Sequence, residues 1–196
     1  SEQVTKELVV LGMPKAEFKV NQASKKTENT TFVTVDGQMF KVGAKGFDDI
    51  EFVIRANPGE ELKPLRSVAS GGEISRVMLA LKTLLAESDQ VPVLVFDEID
   101  AGISGRVAQA VGLSLRKLAT GRQIISITHL PQIASMAHNH FLVEKQVDAN
   151  QTKTSIRRLS AVERQEQIAR LFGGETVTPA HLDSAQDLIH EAEKLS

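Results

Sequence analysis

Two periods of hydrophobic residues alternate along this chain. Spacings of three and four predict helices, and alternating or continuous runs predict strands. Val4, Leu8 and Leu11 form one helical stripe over residues 1–12, stopped by Gly12 and Pro14. The stripe opens without a helix-start signal, which predicts a piece cut from a longer chain. Phe18 and Val20 predict a strand over 16–20, and the polar stretch 21–30, with Lys25-Lys26, predicts a loop. The β-branched run 31–35, the Asp36-Gly37 turn and the returning 39–42 predict a hairpin. A glycine-rich loop over 43–49, a strand over 50–56 and an Asn57-Pro58-Gly59 turn complete a β-rich first third, 13–66.

Beyond Ser70 the period lengthens. Ile74, Val77, Met78, Leu81, Leu84 and Leu85 predict an amphipathic helix. Residues 91–96 are continuously apolar, as in a strand buried on both faces. A helix over 107–118, closed by Gly121, leads to a second buried strand over 123–128 and a short helix over 131–137. Strands over 141–147 and 153–159 precede helices over 161–172 and 179–195, set around Gly173-Gly174. Strands alternating with helices predict an α/β fold, a parallel sheet flanked by helices. No internal repeat, low-complexity tract or linker divides residues 1–196, so a single domain is expected.

Composition narrows the chemistry. A net charge of −2 supplies no global positive field for nucleic acid. The absence of cysteine excludes disulfides and thiolate metal sites. With no Trp or Tyr, base stacking would fall to eight Phe, most of them in apolar runs. No apolar run reaches the length of a membrane span, and no signal-peptide pattern opens the chain.

Three signals between Ser67 and His129 carry candidate chemistry. Ser70 is a suitable N-cap, and Gly71-Gly72 allow close backbone approach at a helix N-terminus, where a phosphate is favoured. Capped glycine turns are also common in ordinary helices. The strand ending in Asp97-Glu98 puts two carboxylates at the carboxyl edge of a parallel sheet, where open α/β sheets bind ligands. Asp97 there suits Mg²⁺, directly or through water, and Glu98 suits polarisation of an attacking water. Asp100 is either a third acidic member or a cap for the next turn. His129 follows the next buried strand to the same edge, placed to meet a γ-phosphate or its water. The bland alternatives are a solvated acidic loop and a strand-end histidine without a ligand. His138-Asn139-His140 lacks a cysteine or acidic partner and reads as surface loop. In this order the three signals read as part of an ATP-hydrolysing site.

The residues also carry a resemblance. Ser70-Gly71-Gly72-Glu73 is similar to the signature motif of ABC-type ATPases, Leu94-Val95-Phe96-Asp97-Glu98 to a Walker B strand, and Ile127-Thr128-His129 to the switch-histidine loop. The stretches from Leu65 to Glu73, Phe96 to Gly105 and Thr128 to Ala134 resemble the RecN family of bacterial SMC-like DNA-repair ATPases, and the likeness runs from about Leu8 to Leu188. The resemblance implies a P-loop NTPase-like ABC ATPase head, carboxy-terminal lobe. Residues 1–12 would be the end of a coiled-coil arm, and 67–196 the α/β part that holds the three motifs. It implies that Ser70, Gly71, Gly72 and Glu73 contact ATP held by a partner head, that Asp97 supports Mg²⁺, and that Glu98 and His129 are catalytic. Ala101, Gly102, Ile103, Ser104 and Gly105 would form a loop across the interface between heads, with Ser104 where many relatives carry Asp. The chain has no Gly-Lys pair, so the phosphate-cradling Walker A loop is missing. ATP and Mg²⁺ binding would then require an N-terminal head half and a partner head, and the piece alone would be inactive. Implied partners are that half, a second copy through ATP-bound heads, and DNA in the whole protein, in the bacterial cytoplasm at the nucleoid and not at a membrane. Lys25-Lys26 and Arg157-Arg158 are candidate DNA-phosphate contacts. Other readings are a different SMC-like head, a transporter's nucleotide-binding subunit, a Mg²⁺-dependent nuclease built on Asp97, Glu98 and Asp100, or a non-catalytic dimerisation or DNA-docking module.

Overall fold

The computed structural model describes residues 1–24, 32–44, 46–148, 151–174 and 176–195. Helix α1 (Glu2–Val10) buries Val4 and Leu8, Leu11 is buried just past its end as the stripe predicts, and Gly12 turns the chain at φ +82°. Strand β1 (Glu17–Ser24) then pairs antiparallel with β4 (Asp48–Arg55), Phe18 opposite Ile54 and Val20 opposite Phe52. Residues 21–24 are thus strand, not the expected loop, because ladder pairing with β4 carries the polar residues to Ser24 opposite Asp48. Lys25-Lys26 lies outside the described residues. Strands β2 (Phe32–Val35) and β3 (Gln38–Lys41) form the expected hairpin. Its turn has Asp36 at φ 49° and Gly37 at φ 74°, the paired left-handed geometry that matches strand twist. The Asn57-Pro58-Gly59 turn also forms, with Gly59 at φ +89° and Glu60 N donating to Asn57 O at 3.2 Å. A two-residue strand, β5 (Lys63–Pro64), on the free edge of β4 and a 3-10 turn over Leu65–Ser67 were not legible from periodicity.

The centre is a β-α-β unit preceded by helix α2 (Gly71–Leu84). Strand β6 (Val93–Phe96), helix α3 (Gly105–Leu118) and strand β7 (Gln123–Ser126) bring Val93 beside Gln123 and Phe96 beside Ser126 in parallel register. The parallel pair flanked by helices meets the α/β expectation, with both strands shorter than their apolar runs. Burial on both faces is not met. Phe96 is buried and Leu94 and Ile124 pack on the core, whereas Val95 and Ile127 are 64% and 59% exposed and Val93 and Ile125 are also open. That face is largely open to solvent. On α2 the buried side is set by Gly72, Arg76, Val77, Leu79, Ala80 and Leu81. Leu84 and Leu85 are exposed because the helix is ending there. Helix α3 stops at Leu118, before Gly121, and Ala119 N closes on the Leu115 carbonyl at 3.0 Å.

Helix α4 is a single turn, Pro131–Ala134, shorter than expected. A hairpin of β8 (Phe141–Asp148) and β9 (Gln151–Arg158) leads to α5 (Ala161–Gly173) and α6 (Pro179–Glu193). Ser160 and Glu163 form a capping box on α5, and Thr178 caps α6. The main core joins α1, β1, β4, α2, β6 and α3, while Ala134, Ile168, Ala169 and Ala185 make a smaller one between α4, α5 and α6. Arg157 and Arg158 are engaged within the protein, Arg157 with Glu163 at 2.6 Å and Arg158 with Asn139 at 2.5 Å. Among the described residues, no helix is long and apolar enough to cross a membrane.

Candidate functional site

The three sequence signals converge at the carboxyl ends of β6 and β7. Ser70 starts α2, its Oγ accepting from Glu73 N at 3.3 Å and its carbonyl from Ile74 N at 3.1 Å. The first turn of α2 lies directly on the loop that leaves β6. Ser75 Oγ donates to Asp97 O at 2.7 Å, and Arg76 Nη1 donates to Ala101 O at 2.9 Å. That approach demands the two glycines. A Cβ on Gly71 would overlap the Glu98 carboxylate, and one on Gly72 would lie 2.8 Å from Ala101 Cβ and 3.0 Å from Glu98 O. The Glu98 carboxylate therefore rests at the N-terminus of α2, where exposed N–H groups favour negative charge.

Asp97 and Glu98 are both exposed, and Asp97 Oδ1 accepts from Glu98 N at 2.9 Å. Glu98 adopts φ +56°, a left-handed conformation costing on the order of 1 kcal/mol for a residue with a side chain. The kink ends β6 and lets Ile99 enter the core fully buried. Asp100 follows it inward and is only 5% exposed. Its Oδ2 accepts from Thr128 Oγ1 at 2.6 Å and from His129 N at 2.9 Å, and lies 3.0 Å from His129 Nδ1. His129 itself is 73% exposed at its side chain, so the ring reaches solvent while Nδ1 lies beside the Asp100 carboxylate.

The loop over 101–105 is glycine-shaped, with Gly102 at φ +72° and Gly105 at φ +53°. Ala101, Gly102, Ser104 and Gly105 are exposed, and Ile103 packs partly on the core. Ser104 starts α3 through its carbonyl, which accepts from Val107 N at 3.2 Å, and its hydroxyl makes no cap bond. Beside the loop, a shallow cleft of about 430 Å³ is lined by Lys15, Asn57, Ser70, Glu73, Arg76 and Gly102, among others.

Ser70, Gly71, Gly72, Glu73, Asp97 and Glu98 thus share one end of the molecule, joined through Asp100 to His129. One residue there, Arg76, escaped sequence reasoning, and a second, Asp100, was named without its partners. Arg76 is buried on α2, where desolvation pulls its pKa down and the Glu73 charge works the other way. Its only signal was an arginine between apolar positions. Asp100 was visible as an acid but not as the acceptor of the Thr128-His129 segment. That engagement also separates it from Asp97 and Glu98 as a nuclease cluster. Among the described residues no three His, Cys, Asp or Glu side chains are grouped to hold a metal. Mg²⁺ commonly takes one or two carboxylates plus phosphate and water, so the single exposed Asp97 carboxylate fits that mode. His138 is exposed, whereas His140 is half-buried, its pKa lowered by burial first and by the Arg164 charge second.

No family model matches the chain. The DNA repair protein RecN of Bacillus subtilis is 39% identical over 199 residues, covering 100% of this chain and 34% of that protein. The DNA repair protein RecN of Haemophilus influenzae is 39% identical over 193 residues, covering 97% of this chain and 32% of that protein. The chain spans about one third of the length of these curated relatives. Among solved structures, the Smc head domain with a coiled coil and joint from Pyrococcus yayanosii is 16% identical with a TM-score of 0.50, covering 98% of this chain and 28% of that one. The likeness is one of fold, an SMC head. By residue identity along its whole length, the chain matches a carboxy-terminal part of RecN proteins.

Proposed function

We propose that this chain is the carboxy-terminal part of an ATP-hydrolysing, SMC-like head that acts in DNA double-strand-break repair. The observation that carries the reading is the meeting of the α2 N-terminus, Asp97-Glu98 and His129 at one end of the parallel pair. Asp97 would hold Mg²⁺ through the oxygen not bonded to Glu98 N. Glu98 would orient and deprotonate the attacking water, and His129 would contact the γ-phosphate with the nitrogen that Asp100 leaves free. Bound MgATP supplies the phosphoryl group and the cation that neutralises it. Ser70, Gly71, Gly72 and Glu73 would face the nucleotide of a second head, and residues 101–105 would cross between the two heads. Glu98 now rests against Gly71, so its carboxylate would have to leave the α2 N-terminus before a phosphate took that place.

The open apolar face of Val93, Val95, Ile125 and Ile127 supports a missing N-terminal head half as the first partner, because a parallel sheet is ordinarily covered on both faces. The same half would bring the Walker A loop. Two ATP-bound heads would associate, hydrolysis would part them, and the cycle would couple to DNA held by the whole protein at the nucleoid. The test is MgATP hydrolysis by this chain alone, by the chain fused to the missing half, and by the fusion with Glu98→Gln. Hydrolysis is expected only in the unsubstituted fusion. Steady hydrolysis by the chain alone, or an active Glu98→Gln fusion, would sink the proposal.

A further inference from the structure

We propose that Asp100 is a positioning residue that fixes the imidazole of His129 and links it to the 101–105 loop. A carboxylate 5% exposed needs donors to offset its desolvation, and here they come from one short segment. Thr128 Oγ1 and His129 N donate to Oδ2 at 2.6 and 2.9 Å, and His129 Nδ1 lies 3.0 Å from the same oxygen. A carboxylate oxygen 3.0 Å from Nδ1 is best met by a proton on that nitrogen, which makes Nδ1–H the form this placement favours in the neutral ring. The exposed Nε2 is then the nitrogen presented outward, as an acceptor in the neutral ring and a donor when the ring is charged.

The same carboxylate stiffens the backbone around the ring. Thr128 Oγ1, while donating to Asp100, accepts from Leu130 N at 3.0 Å, which holds the entry to α4. On its other side Asp100 O accepts from Ile103 N at 3.4 Å, and the next carbonyl, Ala101 O, accepts from Arg76. A displacement of the 101–105 loop therefore reaches the ring through one residue. The catalytic consequence rests on the ATPase reading above, and the ring geometry does not.

Long-range proton–nitrogen correlation spectra of the nitrogen-labelled 196-residue chain at mildly alkaline pH test it, with His129 assigned by its loss in His129→Gln. The expected wild-type signal is the Nδ1–H tautomer. Asp100→Asn keeps an oxygen at the same place and keeps that tautomer, and Asp100→Ala shifts the ring toward Nε2–H. A wild-type ring in the Nε2–H form overturns the proposal, even if Asp100→Ala does not fold. In the fused, hydrolysing protein, Asp100→Ala should lower kcat by about tenfold or more, as for other groups that orient a reactive imidazole, with little change in KM. Unchanged kcat overturns the catalytic link. A fusion without any hydrolysis removes the ATPase reading instead, and the tautomer alone then decides.

Discussion

Replacing Gly72 with alanine should unfold the site from within. The new methyl would lie 2.8 Å from Ala101 Cβ, 3.0 Å from Glu98 O and 3.2 Å from Ala101 O. Carbon atoms pack comfortably at about 3.5–4.0 Å, so the helix and the loop must separate by several tenths of an ångström or more. None of the three obstacles is a flexible chain end. The loop backbone is held by Arg76 on Ala101 O at 2.9 Å, by Ala101 N on Glu98 O at 3.0 Å, and by Ser75 on Asp97 O at 2.7 Å. Overpacking of this kind costs about 1–3 kcal/mol. Alanine regains about 0.5–1 kcal/mol of helix propensity, leaving a net loss of up to about 2.5 kcal/mol, centred on about 1 kcal/mol. Urea unfolding followed by far-ultraviolet circular dichroism measures it. Gly71→Ala is the control, because its obstacle is the swinging end of Glu98, and it should stay within about 0.5 kcal/mol of wild type. A Gly72→Ala chain as stable as wild type would refute the close approach.

Other outcomes follow from packing and charge. The α5 cap holds the Glu163 carboxyl down at about 2, first through the Ser160 backbone N–H, then the Ser160 hydroxyl and Arg157. Its contribution is present above the ordinary value of 4.5 and fades as pH falls toward 2, so Glu163→Gln should flatten the urea midpoint over that window, and an unaltered slope would count against the cap. Leu8 is fully buried, and Leu8→Ala should cost about 2–5 kcal/mol by thermal or urea unfolding. Val95→Lys, at a residue 64% exposed, should leave the isolated chain within about 0.5 kcal/mol of wild type. It should weaken capture of the missing half by about tenfold or more, read by titration calorimetry, since an unpaired ammonium would be buried.

Local chemistry was legible and long-range coverage was not. Ser70, Asp36-Gly37 and Asn57-Pro58-Gly59 act within a few residues of themselves, so their roles as cap and turns followed from residue type. Val93, Val95 and Ile125 read as fully buried because an apolar run looks the same whether its cover comes from the same segment or from elsewhere. β5 is two residues long and has no period to detect. At the site, Asp97, Glu98 and His129 were visible as strand ends, but Asp100 and Thr128 are 28 residues apart, and their bond exists only once β6 and β7 are side by side. The positive φ of Glu98 likewise belongs to the junction and carries no mark in residue type.

The open side of the β6–β7 pair turns thermal stability into a readout of association. A molecule that covers Val93, Val95, Ile125 and Ile127 binds the folded chain and not the unfolded one. By mass action it raises the free energy of unfolding by about 2.7 kcal/mol when present at about one hundred times its dissociation constant. The melting temperature then climbs with the concentration of the covering segment and keeps climbing past saturation. Candidate covering segments, such as pieces of the RecN relatives that lie outside the match, can therefore be ranked by heating alone, without nucleotide, DNA or any catalytic assay.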